Sequence, residues 1–136
     1  MRKLIIAFLL FTAVGCVHQN SFILDSEQSQ VQLRQIQSRA FETSDREKTL
    51  RSVIATLQDL SFVVDKANLD LGTVSATKLD GYSLRMTVTV NQRGKRIMIV
   101  RANAQYNTTA VVDPQPYQQF FSALEKAMFL TAQQVD

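Results

Sequence analysis

Between Tyr82 and Val90 every second residue is apolar. Tyr82, Leu84, Met86, Val88 and Val90 alternate with Ser83, Arg85, Thr87 and Thr89. A period of two puts these sets on opposite faces of a strand, one buried and one wet. Asn91 to Lys95 supplies a Gly-containing loop, and Arg96 to Tyr106 returns with Met98, Val100, Ala102, Ala104 and Tyr106 on one face. A two-stranded ribbon that is apolar on one side is at best marginal in water, so this pattern demands further strands and a layer to cover the apolar face. Ala102 and Ala104 are small where their neighbours are large, the relief that a closely packed helix needs.

Two segments supply that layer. Ser44-Asp45-Arg46-Glu47 matches the capping box, with Ser44 as the cap, and predicts a helix starting there. Leu50, Val53, Ile54, Leu57 and Leu60 follow at helical spacing and form one apolar stripe. Near the end of the chain, Asp113-Pro114 is a cap and first helical residue. Tyr117, Phe120, Phe121, Leu124, Met128 and Thr131 then recur at helical spacing, giving this helix the heaviest aromatic load.

The remaining apolar runs are short. Val31, Leu33, Ile36 and Phe41 approximate an alternation and predict a strand within 31–42, bulged near Gln35. Phe62-Val63-Val64 and Leu71 to Thr77 suit strands on either side of a polar turn at Asp65 to Asp70, or else one bent strand, and Asp80-Gly81 marks the next hairpin turn. The expected fold is therefore α+β: one antiparallel sheet with two helices packed on one face, in the order βαβββα.

The first sixteen residues have a different purpose. Arg2 and Lys3 precede an 11-residue, mainly apolar run, Leu4 to Val14. That length suits a signal segment and is too short to span a bilayer. The run ends in Ala13-Val14-Gly15-Cys16, which resembles the lipobox of bacterial lipoproteins and implies acylation at Cys16, although Ala13 stands where Leu is commonest. The alternative is an ordinary secretory signal that happens to end at a cysteine; Cys16 is the sole cysteine of the chain. The expected organisation is a signal peptide at 1–15, an acylated cysteine and flexible polar tether at 16–30, and a single domain at 31–136. Val17 follows Cys16, so the Asp that commonly retains lipoproteins in the inner membrane is absent. By resemblance to those sorting rules, the expected location is the periplasmic face of the outer membrane, with the inner membrane and secretion as alternatives.

The run from Leu50 to Phe62, followed by Asp70-Leu71-Gly72-Thr73-Val74, resembles the helix-grip domains of envelope lipoproteins such as BamC. In these an apolar helix ends in a small-residue-Phe-x-Val step and a Gly-x-Val strand follows. The resemblance is structural and covers one domain where BamC has two, so a role in barrel assembly is not carried over.

Composition excludes several chemistries. Loss of Arg2 and Lys3 with the signal leaves 13 basic against 12 acidic side chains, a balance that argues against nucleic acid as partner. The single histidine, His18, lies two residues from Cys16 in the tether, where nothing would orient it as a base. Asp65, Asp70 and Asp80 lack calcium-loop spacing and suit turns at strand ends. No catalytic residue, metal site or cofactor is expected. One polar feature invites a contact: Arg93, Lys95 and Arg96 crowd the hairpin tip, with Arg85 and Arg101 on the flanking polar faces. They are candidates for meeting anionic lipid, lipopolysaccharide or an acidic protein, or else a solvated edge that protects the hairpin from aggregation. The expectation is a non-catalytic adaptor or accessory subunit of an envelope assembly, held to the membrane through Cys16 and bound to an envelope protein. The alternative is a lipid or small-ligand binding protein with a cavity between helix and sheet.

Overall fold

A computed structural model describes residues 29–79 and 83–133. The chain divides into two units, Met1–Val31 and Gln32–Asp136, and nearly all described residues belong to the second. In chain order the elements are α1 (29–36), β1 (Ser38–Phe41), α2 (Arg46–Asp59), β2 (Val63–Asn68), β3 (Thr73–Leu79), β4 (Ser83–Arg93), β5 (Ile97–Tyr106), β6 (Thr109–Ala110) and α3 (Pro114–Gln133). The fold is α+β, one antiparallel sheet of six strands with three helices. The strand order is β1-β5-β4-β3-β2, with β6 also paired to β5. The expected order βαβββα is thus short of one helix at its start and of strands in its middle and at its end.

The long alternation behaves as its period requires. Leu84, Met86, Val88 and Val90 of β4, Met98, Val100, Ala102 and Ala104 of β5, and Val74 and Ala76 of β3 share one buried face. Onto it pack α2, over β2, β3 and β4, and α3, over β5 and against α2. Leu50, Val53 and Leu57 bring the α2 stripe into the core, while Ile54 and Leu60 are half-buried beside it. Tyr117, Phe120, Phe121 and Leu124 bring the α3 stripe. Tyr82, Asp80 and Gly81 fall outside the described residues, as do the side chain of Thr131 and the whole of 1–28, including Cys16 and His18.

Four readings of the sequence need correction. Residues 31–36 are helical, and only Ser38–Phe41 of the expected strand is extended. Val31 and Leu33 stand two apart, as on a strand, but Leu33 and Ile36 stand three apart, as on a helix, and both of these rest against the core; Gln32, Arg34 and Gln35 are good helix formers. The cap of α2 is Asp45, not Ser44. Its Oδ1 accepts from the amide of Lys48 at 2.9 Å, and Glu47 pairs with Arg51 at 2.6 Å instead of reaching back. A carboxylate at this position suits the positive end of the helix better than a hydroxyl. The polar stretch after Val64 continues as strand to Asn68, with a bulge between Val64 and Lys66, so the turn shrinks to 69–72. Finally, β4 runs on to Arg93 and leaves only Gly94, Lys95 and Arg96 as the turn.

Helix α2 ends in a Schellman motif. The amide of Phe62 donates to Leu57 O and that of Ser61 to Gln58 O, both at 2.9 Å, with Ser61 left-handed at φ 68°. This turn delivers Phe62 into the core and Val63 to the edge strand. The motif that carries the helix-grip resemblance thus has a local physical cause.

Candidate functional site

The hairpin tip is built by Gly94, whose φ of 64° is left-handed and whose missing Cβ would meet nothing within 4 Å. Its role is conformational: it lets β4 turn back so that Arg93 stands opposite Ile97. Arg93, Lys95 and Arg96 are all exposed there, as the alternation predicts for Arg93 and the turn for the other two. Arg85 and Arg101 are exposed on the open face of the same ribbon. None of these five side chains has a hydrogen bond or ion pair among the described residues. Four cations elsewhere are engaged, while the side chains of Arg34, Lys48, Lys66 and Lys126 also have no hydrogen bond or ion pair among the described residues. Arg39 lies 5.2 Å above the Phe121 ring and 3.8 Å from Glu125. Arg46 donates to Asp70 O, Arg51 to Glu47, and Lys78 stands 6.0 Å from the Phe62 ring centroid.

Open grooves lie among the described residues of the domain. One of about 530 Å³ lies beside the tip, lined by Glu42, Thr43, Ser44, Arg96 and Ile97. A second of about 340 Å³ runs between the start of α2 and the far part of α3, past Phe41, Met128 and Phe129. A third of about 390 Å³ lies between the end of α2 and the start of α3, over Leu60, Phe62, Leu84 and Tyr106, with Lys78 and Gln119 at its rim. Neither Ala102 nor Ala104 lines any of them. Both are buried, and the amide of Ala104 donates to the Tyr117 hydroxyl at 3.3 Å, so the first turns of α3 are seated directly on β5.

The aspartates considered as ligands are dispersed. Asp65 accepts from the Thr77 hydroxyl at 2.6 Å, and Asp70 offers its backbone carbonyl to Arg46. Among the described residues no three His, Cys, Asp or Glu side chains group to hold a metal ion, and no helix is long and apolar enough to cross a membrane. No family model matches the sequence, and no curated protein matches it.

Sequence reading missed two features. Arg46 looks like a solvated helix residue, yet its guanidinium spans Asp70 O at 3.1 Å and Val90 O at 3.4 Å and clamps the β2–β3 turn to β4. Gly72, with φ 71°, makes room for it: a Cβ there would lie 2.6 Å from Val90 O and 2.5 Å from Arg46 Nη2. The Gly in Leu71-Gly72-Thr73-Val74 was the available signal. The rim of the third groove went unseen because its members come from five separate stretches of chain.

Proposed function

We propose that this protein is a lipid-anchored envelope lipoprotein, tethered through Cys16 at the periplasmic face of the outer membrane, whose domain serves as a non-catalytic adaptor or accessory subunit. In this reading the domain is of the helix-grip type, similar to the domains of BamC. The observation that carries the adaptor reading is the clustering of exposed cations at the hairpin tip. Arg93, Lys95 and Arg96 project from the tip with no partner among the described residues, while Arg39, Arg46, Arg51 and Lys78 are each occupied within the fold. Unpaired guanidinium groups held on a rigid hairpin suit an anionic contact on another molecule.

The close seating of α3 on Ala104 favours the adaptor over a ligand cavity beneath that helix. The rival reading keeps one foothold, the 390 Å³ groove. Its floor holds Leu60, Phe62, Leu84 and Tyr106, under a rim of Lys78, Asp113, Gln115 and Gln119. Fractionating cells that carry the wild type or Cys16→Ser, with intact-mass measurement of the purified chains, tests the anchor. Acyl mass on the wild type and release of the variant from the membrane are expected; an unmodified wild type, or a variant that stays in the membrane, refutes it. Native mass spectrometry of the same wild-type preparation tests the rival, since a stoichiometric bound small molecule would favour the groove.

A further inference from the structure

The open face of the sheet carries more charge order than the tip alone. Arg85, Thr89 and Arg93 point to the same side of β4, and Arg101 stands opposite Thr89. Three guanidinium groups, Arg85, Arg101 and Arg93, therefore stand in file along the β4–β5 ribbon at steps of four residues, about 13 Å each at the rise of an antiparallel strand. Lys95 and Arg96 extend the file past the turn, and Lys66 of β2 adds a cation on the same face. Around them the face carries hydroxyl and amide groups, Thr73, Ser75, Thr87, Thr89 and Asn103, with Ile99 opposite Asn91 and Ile97 opposite Arg93. Its one carboxylate among the described residues is Asp65, which is hydrogen-bonded to Thr77. Glu42 lies across the groove from Arg96 with no ion pair between them. Asp45, Glu47, Asp59 and Glu125 belong to the helical layer.

We propose that this face is a docking surface for an extended acidic segment of the partner protein, laid along the β4–β5 ribbon with carboxylates against Arg85, Arg101 and Arg93. This rests on the adaptor reading and names the chemistry of its partner. Three features select such a segment over a bilayer. The cations form a line, and an extended chain with an acidic residue at every second position presents carboxylates on one side at a spacing that divides the four-residue step. Sheet twist carries the outer strands away from any plane, whereas a segment following two strands turns with them. The face also has no aromatic side chain among the described residues to sit at a lipid interface. Arginine predominates in the file, and its planar fork pairs with carboxylates through two parallel hydrogen bonds.

The test titrates the full chain with a labelled twelve-residue peptide of alternating Glu and Ser, and separately with vesicles rich in phosphatidylglycerol. Saturable, salt-sensitive peptide binding is expected. It should weaken roughly tenfold in R85E/R101E and change less than about twofold in K48E/K126E, which alters net charge equally but off the face. Should the first double variant melt early, R85Q/R101Q replaces it and is expected to weaken binding in the same direction. Absence of peptide binding, equal loss in both double variants, or binding to vesicles alone overturns the proposal. A crosslinked partner in cells that is indifferent to Arg85 and Arg101 would overturn it while leaving the adaptor reading intact.

Discussion

The side-chain amide of Gln37 donates to the phenol oxygen of Tyr117 at 3.3 Å, joining residues 80 apart in the chain inside the core. The same oxygen donates to Val111 O at 2.7 Å and accepts from the Ala104 amide at 3.3 Å, so a wholly buried hydroxyl is fully used. It ties the entry to β1, the last part of β5, the segment after β6 and the first turn of α3 to one atom. Tyr117→Phe would leave three buried polar groups short of a partner. A loss of about 1–3 kcal/mol in urea unfolding is expected, larger than removal of one exposed hydroxyl would give. Unchanged stability would mean that the node relaxes onto water.

Gly72 and Gly94 are both left-handed, at φ 71° and 64°, yet only Gly72 is crowded. Gly94→Ala should cost about 1 kcal/mol, the conformational strain alone. Gly72→Ala adds a contact with Val90 O, a backbone atom that cannot step aside, and should cost roughly 2 kcal/mol or more. Comparing the two melting temperatures separates strain from crowding.

Thr49 and Ser52 on α2 return their hydroxyls to the carbonyls of Asp45 and Lys48, but the hydroxyl of Thr56, one turn on and equally buried, has no partner. Thr56→Val keeps the shape and removes that stranded group. The expected result is a gain of about 1 kcal/mol, read from the urea midpoint; a loss would mean that the hydroxyl is solvated after all.

Leu57 and Phe121 lie in the core at no more than 1% exposure. Truncating either to Ala should cost about 2–5 kcal/mol and melt the domain far earlier than wild type. Two melting temperatures equal to wild type would contradict the core as described.

What the sequence made legible was whatever its periodicity repeats often enough to decide. The alternation from Leu84 to Val90 and the stripes of α2 and α3 run for several turns or pleats, and their buried faces came out as read. Residues 31–36 offered only Val31, Leu33 and Ile36, whose spacings of two and three point to different elements. Ser44 and Asp45 are both good caps side by side, so the choice rested on which carbonyls and amides the turn could reach. The tip cations were legible because a Gly-containing loop between alternating strands must be exposed. The file of Arg85, Arg101 and Arg93 was not, since it depends on the register that sets Arg101 opposite Thr89. Arg46 escaped for the same reason: its acceptors are carbonyls 24 and 44 residues away.

The adaptor account stands or falls on a partner. Crosslinking the full-length protein in living cells, wild type beside R93E/K95E/R96E, measures it directly. The account predicts one defined protein crosslink to the wild type that is lost or sharply reduced in the triple variant while the level of the protein itself is unchanged. A wild type that yields no protein crosslink, or a crosslink that survives charge reversal of the whole tip, would contradict it.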